Sequence, residues 1–532
     1  MSHISIARRV AWVAAGLALV ACVDLTRPNN NDPNRLRATS TPGDVEALIA
    51  STFQTWWPRV YGPTPSVMWS MMGYEVSTPF LCFSSQEMGQ EPRPAWNNTT
   101  VYVRSTTSSG PWLDLYGVIS IANDGIQALD RGLMIGAGGA NNSRARAFAK
   151  FMQGVAHGYV ALMYDKGLII DEHADIDTLA TPTYVPYTDV MPAAIAMLKE
   201  SIAISDTATF TLPVTGWIPG LQLTNKDLSR LAHTYIGRFE TYVARTAAER
   251  AAVNWTDVIA QMDAGITADF APIGSPTGLV DNAKRLFARS NAFPGDQQRA
   301  SNWLVGPADS LDGFKNWIAT PVADRNPFQL RTADRRIQSD TVGSTGAYFG
   351  YDPNVSWMNP TRGLYLRSFY YFRRFGTGTS WQNGPLVAIT RTELNLLKAE
   401  ALIRLNRATE AIPLINATRV ANGKLKPVDI NGPPDQAGCV PRKLTGACGS
   451  LWDALRYEKR IEEAGVDPQI AFYDARGWNT LATNSFLEWP VPGRELEIQR
   501  LPNYTFGGGG AMSAPPPTWD KCPASVTLPR CS

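Results

Sequence analysis

Long helices with a single apolar face dominate the sequence and limit what the chain can fold into. The clearest runs from about Asn142 to Tyr164, where apolar residues recur every three or four positions in one continuous stripe. The same spacing follows Pro111 as far as Leu129. Further stripes occupy residues 187–204, 225–244, 255–268, 392–405 and 409–420. Because strand signals are weak and scattered, for instance at 363–375 and 486–491, the pattern predicts a mainly α protein.

Several of these helices come in pairs, and small residues lie where paired helices would cross. Gly154 and Gly158 are examples in one helix, and Ala399 and Ala401 in another. Each hairpin leaves an apolar face that only a neighbouring hairpin can cover. This arrangement favours a tetratricopeptide-like array of helical hairpins, an α-α superhelix.

A change in composition separates two helical parts, residues 43–269 and 387–532. The intervening residues 270–386 are rich in Gly, Pro, Asn and Asp and carry several Trp and Tyr side chains. Long loops in a compact protein are usually functional. We therefore predict a loop-rich subdomain inserted into the helical array.

Composition and charge exclude two broad classes of protein. Hydrophobic residues make up 44% of the 532 residues, enough apolar surface to offset the entropy lost on ordering, so the chain is not disordered as a whole. Its 49 basic and 47 acidic side chains give a net charge of +2. A nucleic-acid-binding protein would normally carry a larger basic surplus, so no nucleic-acid partner is expected.

The N-terminus resembles a bacterial lipoprotein signal. Arg8 and Arg9 precede an apolar run, Val10–Ala21, which is too short to span a membrane as a helix. The ending Leu-Val-Ala-Cys matches a lipobox, in which Cys22 is acylated after residues 1–21 are removed. The alternative is an ordinary signal peptide with an incidental Cys. Residues 22–42 are rich in polar residues and Pro and are expected to form a flexible tether, with order beginning at an N-cap at Asp44.

Four of the remaining cysteines fall into two closely spaced pairs in loop-like sequence. Cys439 precedes Cys448 by nine residues, and Cys522 precedes Cys531 by the same distance. An envelope compartment permits disulfides, so both pairs are candidate disulfides. Zinc is the competing interpretation, but there is no C-x-x-C spacing and no nearby His. Cys82 is then odd and is most simply a small buried hydrophobe.

No constellation of side chains indicates catalysis. Glu458, Glu462 and Asp474 lie in helices, where charges three or four apart most often form solvated pairs on an exposed face. Glu458 alone leans toward the packed face, where it would need a partner such as an Arg. His157 and His233 sit within helical stripes and are expected to be satisfied core or interface residues. We therefore expect no enzyme activity.

One acidic segment is a possible calcium site. Asp171, Glu172 and His173 are followed by Asp175 and Asp177, which would supply oxygen ligands. The spacing does not match an EF-hand loop, and a solvated loop is the alternative. No other cofactor is expected.

Several segments together resemble the SusD/RagB family of outer-membrane nutrient-binding lipoproteins, over nearly the whole chain. Residues 393–401 (ELNLLKAEA), followed by the N-x-x-R of Asn416–Arg419, closely match the family's E-x-x-L-x-x-A-E-A and N-x-x-R elements. Residues 458–462 (EKRIE), 474–478 (DARGW) and 486–496 (FLEWPVPGREL) look like its C-terminal elements. The lipobox and tether also match the family's N-terminus.

This resemblance implies a position on the outer face of the outer membrane, held by a lipid anchor. Members of the family form a lid over a TonB-dependent barrel of the SusC type and pass captured oligosaccharides or peptides into it. The same partner and ligand classes are expected here. The alternative is a helical-repeat scaffold of the cell envelope that binds no small ligand.

Aromatic side chains in loops are the candidate ligand contacts, because sugar rings stack their apolar faces on flat aromatics. In the family, the segment before the first helical hairpin and the central insert contribute to the ligand site. An aromatic flanked by Asn, Gly and Pro is expected to be exposed. The candidates chosen in this way are Trp96, Asn98, Tyr102, Trp303, Trp317, Tyr348 and Trp357.

Overall fold

The computed structural model of the protein describes residues 39–77, 88–174, 182–281, 283–284, 298–354, 366–375 and 381–531. Several features named above lie outside these residues: the expected signal peptide 1–21, Cys22, most of the expected tether, Cys82, Asp175, Asp177 and Trp357.

Helices form most of the regular structure, and every strand is short. The helices are α1 (Pro42–Val60), α2 (Pro63–Met72), α3 (Thr106–Asp130), α4 (Asn142–Met163), α5 (Tyr187–Thr207), α6 (Asn225–Tyr242), α7 (Ala247–Ala251), α8 (Trp255–Ala264), α9 (Asn302–Val305), α10 (Gly313–Ala319), α11 (Arg391–Arg404), α12 (Ala408–Ala421), α13 (Leu451–Glu462), α14 (Ile470–Gly477) and α15 (Gly493–Ile498). The strands are β1 (Val76–Ser77), β2 (Lys166–Gly167), β3 (Val185–Pro186), β4 (Ile273–Gly274), β5 (Arg299–Ala300), β6 (Phe349–Tyr351), β7 (Tyr370–Phe372) and β8 (Gly384–Pro385).

The long helices pack in sequence, each against the next. Helix α1 contacts α3, α3 contacts α4, and the series continues through α5, α6 and α8. Helix α8 then contacts α11, which packs on α12 and α13. The array thus continues across the insert, because α8 precedes residues 270–386 and α11 follows them. The predicted mainly α fold of stacked helical hairpins is confirmed.

Glycines in α4 let its neighbours approach closely. A Cβ atom at Gly154 would lie 2.8 Å from the carbonyl oxygen of Ala194 in α5. A Cβ atom at Gly158 would lie 2.1 Å from the ring of Phe239 in α6. Such separations are too short for real atoms, so α4 can sit between α5 and α6 only with glycine at these positions.

Hydroxyl side chains cap several of the helix N-termini. Helix α1 begins after Thr41, whose Oγ1 accepts a hydrogen bond from the backbone N–H of Asp44 at 3.2 Å. The cap is therefore Thr41, and the expected cap at Asp44 is wrong by one turn. Ser450 and Asp453 form a reciprocal capping box at α13. Helix α3 starts at Thr106 and contains Pro111 at its sixth position, where the missing N–H removes one hydrogen bond to the carbonyl four residues earlier.

The two ends of the inserted segment lie side by side. Strand β4 pairs antiparallel with β8, with Ile273 opposite Pro385, and Phe270 bridges to Ile389. The other antiparallel pairs are β1 with β5, β2 with β3, and β6 with β7. Of the two weak strand signals, 363–375 contains β7, whereas 486–491 contributes only isolated bridges. Strand β5 ties the insert to β1, so the insert packs on the helical body and does not stand apart from it.

Candidate ligand-binding site

The acidic residues of the C-terminal segments lie in buried ion-pair networks. Arg336 of the insert is at the centre of one of them. Its guanidinium nitrogens lie 2.7 Å from Asp334 Oδ2, 2.6 Å from Glu458 Oε2 and 2.8 Å from Glu462 Oε1, and all four side chains are fully buried. Arg419 Nη1 donates to the other oxygen of Glu458 at 3.1 Å. Burial raises the pKa of Glu458, and the two arginines oppose that shift.

A second network joins four helices. Arg250 of α7 lies 2.7 Å from Glu400 of α11 and 3.0 Å from Asp474 of α14, measured between Nη2 and the carboxylate oxygens. Lys459 of α13 binds the same oxygen of Asp474 at 2.8 Å. Burial alone would raise the pKa of Glu400, but Arg250 and Arg404 hold it well below its usual range.

These networks correct part of the sequence interpretation. The expectation that Glu458 faces the core and meets an Arg is confirmed. The expectation that Glu462 and Asp474 form solvated pairs is wrong, because both are 2% exposed or less. The spacing of charges along one helix does not reveal that other elements cover that face. All three carboxylates form ion pairs with buried Arg or Lys side chains.

The histidines are structural as well. His157 is fully buried; its Nδ1 lies 2.8 Å from the carbonyl oxygen of Gln153, and its Nε2 accepts from the N–H of Ile170 at 3.2 Å. Burial lowers the pKa of His157 to about 4, which keeps the ring neutral. His233 is partly buried and bonds Gln261 through Nδ1 at 2.7 Å. Both meet the expectation of satisfied core or interface residues.

The suggested calcium ligands have other partners where they are described. Glu172 forms an ion pair with Lys150 at 2.7 Å, and both side chains are nearly fully buried. Asp171 Oδ1 accepts a hydrogen bond from the N–H of His173. Within the described ranges, no cluster of three or more His, Cys, Asp or Glu residues could hold a metal ion.

Trp96 and its neighbours pack against the C-terminal segment and form hydrogen bonds with it. Trp96 is 1% exposed and packs its ring 5.8 Å from those of Phe486 and Trp489. Asn98 is also buried, and its Nδ2 donates to the carbonyl of Val491 at 3.0 Å. Tyr102 is half-buried, with its ring edge on Trp96. The expectation that Trp96 is exposed is therefore wrong, since residues 486–506 cover the loop that carries it.

Trp303 belongs to an aromatic cluster that reaches the surface. Its ring stacks on that of Trp519, with centroids 4.4 Å apart and planes 18° apart. Tyr74 lies 5.5 Å from Trp303 and 5.9 Å from Trp519. Trp303 is 8% exposed, whereas Trp519, in the C-terminal tail, is half-buried and presents part of its ring to solvent.

The other two described candidates from the insert are the buried Trp317 and the half-buried Tyr348. Trp317 is 4% exposed, packs edge-on against Trp303 at 6.0 Å and carries the guanidinium of Arg325 4.5 Å above its ring. Tyr348 donates its hydroxyl to Glu462 Oε2 at 3.0 Å, and Arg374 covers its ring at 4.1 Å. Tyr348 therefore belongs to the Arg336 network and not to the aromatic cluster.

A cleft opens beside the Trp303–Trp519 pair, and we call it the aromatic cleft. It holds about 60 Å³, room for a few water molecules, and continues into solvent. Its aromatic lining comes from Trp303, Phe314, Tyr457, Trp478 and Trp519. Its charged lining comes from Arg442, Lys443, Asp453, Arg456, Arg460 and Asp520. A flat apolar surface next to hydrogen-bonding groups suits a ring that carries polar substituents.

Both disulfides flank the rim of this cleft. Cys439 is bonded to Cys448, and Cys522 to Cys531, the pairs expected from the spacing. The two closed loops also touch each other, since Lys443 Nζ donates to the carbonyl of Arg530 at 2.6 Å. The cross-links restrict the segments that carry the rim, so the cleft is largely pre-formed.

Among the aromatic cleft residues that the sequence analysis did not select, which are Phe314, Tyr457, Trp478 and Trp519, the last could have been found. It follows Pro515, Pro516 and Pro517 in a loop-like tail. The same filter that selected Trp303, an aromatic flanked by turn residues, applies to Trp519.

No helix among the described residues is long and apolar enough to cross a membrane.

Comparison with known proteins gives a consistent answer at the level of fold. No protein-family model matches the chain, and neither does any curated protein. Solved structures do match. A SusD superfamily protein from Parabacteroides distasonis has 12% identity and a TM-score of 0.56, over 88% of this chain and 99% of that one. Another, from Bacteroides thetaiotaomicron, has 15% identity and a TM-score of 0.51, over 82% and 90%.

A third structure, a SusD homologue from the same organism, has 13% identity and a TM-score of 0.53, and covers 82% of this chain and 88% of its own. The match extends over most of both chains in each case. At such low identity the likeness concerns the fold alone. The chain has the fold of the SusD superfamily.

Proposed function

We propose that this protein is a non-enzymatic nutrient-binding lipoprotein of the outer membrane, and that it delivers oligosaccharides to a TonB-dependent barrel of the SusC type. The fold supports a SusD-like binding role. The lipobox-like sequence ending at Cys22 supports a lipid anchor, and residues 22–42 would tether the body to it.

The stacked pair of Trp303 and Trp519 at the mouth of the aromatic cleft is the observation that carries the proposal. Trp519 is half-buried at the mouth of the cleft beside Arg and Asp side chains, which are suitable partners for sugar hydroxyls. Trp317 lies behind Trp303 and supports its position. Trp96 and Asn98 hold the C-terminal segment in place, so we assign them no ligand contact.

A titration of the purified protein with panels of oligosaccharides and peptides, followed by Trp fluorescence, tests the proposal. We expect saturable binding to an oligosaccharide and no release of reducing ends during incubation. Co-purification of a barrel protein from membranes would support delivery. No saturable response and no associated barrel would favour the envelope scaffold, and product release would indicate an enzyme.

The lipid anchor has its own test. Replacing Cys22 with Ser removes the thiol that would be acylated, so the protein should be recovered in the soluble periplasmic fraction. Cell fractionation and metabolic labelling with a fatty acid measure this directly. Persistent membrane association without label would contradict acylation at Cys22.

A further inference from the structure

The cations that line the aromatic cleft are only partly neutralised. Arg456 pairs with Asp453 at 2.5 Å, and Arg442 pairs with Asp312 at 3.0 Å. Asp453 also caps helix α13 through Ser450, so it is already engaged twice. Asp520, the other carboxylate of the cleft, accepts a hydrogen bond from the N–H of Leu444 at 2.8 Å, so the lining as a whole has four cationic and two anionic side chains.

Arg460 and Lys443 differ from these two arginines. Neither forms an ion pair with any carboxylate in the described part of the chain. Arg460 Nη2 donates only to the carbonyl oxygens of Gly73 and Tyr74, at 3.2 and 3.0 Å. Lys443 Nζ donates to the carbonyl oxygen of Arg530. A carbonyl satisfies a donor but does not neutralise a charge, so both side chains remain net cations.

Arg460 is placed where a ligand on Trp519 would meet it. Its guanidinium carbon lies 5.5 Å from the centre of the Trp519 ring, and both residues are half-buried in the cleft wall. Among carboxyl groups, Glu75 has the strongest electrostatic effect on Arg460. Burial raises the pKa of Glu75 to about 8, so this group compensates the guanidinium only in part, and Asp474 adds a smaller effect of the same sign.

From this arrangement we infer that the aromatic cleft selects an acidic oligosaccharide, with a uronic acid ring lying on Trp519 and its carboxylate bound by Arg460 and Lys443. The inference rests on the proposed function and specifies the ligand class of the same site. A uronic acid holds its carboxylate directly on the ring, so one rigid unit presents both an apolar face and a charge. Arginine is well suited to that charge, because its planar donors match the geometry of a carboxylate.

An acidic peptide is the other anion that such a protein could carry. Its carboxylate is on a flexible side chain, and no flat apolar face accompanies it. The half-buried ring of Trp519 next to Arg460 therefore favours the sugar.

Calorimetric titration of the purified protein with matched ligands tests this inference. The ligands are trimers of galacturonate, glucuronate or mannuronate, each compared with its own methyl ester, which keeps the rings and removes the charge. We expect one acidic trimer to bind about tenfold more tightly than its ester. Raising NaCl from 50 to 500 mM should weaken binding of the acid severalfold and leave the ester unaffected.

Variants then locate the effect. Arg460→Gln should reduce affinity for the acidic trimer about tenfold and change affinity for its ester less than twofold. Lys443→Gln, at the rim, should act in the same direction with a smaller effect, and it serves if Arg460→Gln does not fold. Arg407→Gln is the matched control, because the exposed Arg407 directly precedes α12, pairs with Glu410 and should change neither affinity.

The outcomes separate the inference from the proposed function. Equal binding of acid and ester, or preference for neutral oligosaccharides, overturns the acidic selectivity and leaves nutrient binding intact. Binding of an acidic tripeptide with no binding of any trimer also overturns it. Absence of binding to every sugar and peptide overturns both.

Discussion

The Arg336 network and the aromatic cleft use the same kinds of side chain in opposite ways. Around Arg336, three buried carboxylates surround one guanidinium, and a second arginine completes the set. In the cleft, Arg460 contacts only carbonyl oxygens and the face of an indole ring. In the Arg336 network every charge has an opposite partner, and the pairs join separate elements. Arg460 in the cleft has no carboxylate partner among the described residues and can bind one from a ligand.

This difference teaches where to look for function in the molecule. The charged residues that make up the family-like motifs, such as Glu400 and Glu458, are the ones buried in structural networks. The cleft is lined by the insert, the 441–444 loop, helix α13 and the C-terminal tail, and two of its residues, Arg460 and Trp478, lie within the family-like motifs. Sequence resemblance therefore marks the structural networks fully and the cleft lining only in part.

Removing the centre of the network should have the largest effect. Arg336→Met leaves Asp334, Glu458 and Glu462 buried without their shared cation, and the free energy of unfolding should fall by about 3–5 kcal/mol. Chemical denaturation measures the change. Arg407→Met, which breaks an exposed pair, is the control and should not shift the midpoint measurably. Equal stability of both variants would contradict a structural role for the network.

Trp96→Ala tests how much the packing of the 96–102 loop against the C-terminal segment contributes to stability. Because the ring is buried among Phe486, Trp489 and Tyr102, its removal should cost about 3–5 kcal/mol of stability. Thermal unfolding provides the measurement. A variant that keeps its melting temperature but loses ligand affinity would place Trp96 in the binding site.

The rim disulfides should have the next largest effect. Replacing Cys522 and Cys531 together with Ser opens a loop of about ten residues and should lower stability by about 2–3 kcal/mol in the chain-entropy description. Ligand affinity should fall as well, because Trp519 lies just before this loop and would be less restricted. Unfolding curves and titrations check the two effects separately. An unchanged affinity would show that the rim is ordered without the cross-link.

Glu75 differs from the paired carboxylates because its protonation should make the stability of the protein depend on pH. Burial raises its folded-state pKa to about 8, whereas the unfolded value is near 4.5. Between these values the folded protein binds more protons than the unfolded chain, so this group makes stability fall as pH rises from about 5 to 8. Glu75→Gln should remove that loss, on the order of 2 kcal/mol across the range. Denaturation at pH 5 and pH 8 measures it, and an identical pH dependence in both proteins would contradict the shift.

Trp519→Ala should have the smallest effect on stability and a clear effect on binding. The ring is half-buried and lies at the surface, so the fold should tolerate its loss far better than that of Trp96. Affinity for the oligosaccharide should fall about tenfold, because the stacking face is removed. Calorimetry measures the affinity, and Trp519→Phe, which keeps a flat ring, should recover part of it. Unchanged affinity in the Ala variant would exclude the aromatic cleft as the site.

The helical frame could be predicted well from the sequence because its signals are local. The stripe of α4 gave its limits within one residue, and the small residues at Gly154 and Gly158 mark real helix crossings. The inward lean of Glu458 also followed from its spacing along α13. These properties depend on periodicity within one helix, which a single sequence displays.

The site was harder to predict, because it depends on contacts between distant segments. Trp96 is in a loop of polar residues and still becomes buried, since residues 486–506 fold over it. Trp303 meets its partner Trp519 more than two hundred residues later. Composition near each residue reports whether it lies in a loop, but not which other loop covers it.

A crystal structure of the complex with the tightest-binding oligosaccharide tests the central claim most directly. We expect one sugar ring on the outer face of Trp519, intact glycosidic bonds, and a polar or charged substituent within hydrogen-bond distance of Arg460. An intact ligand bound elsewhere, for instance against the 96–102 loop, or a hydrolysed product in the cleft, would contradict the account.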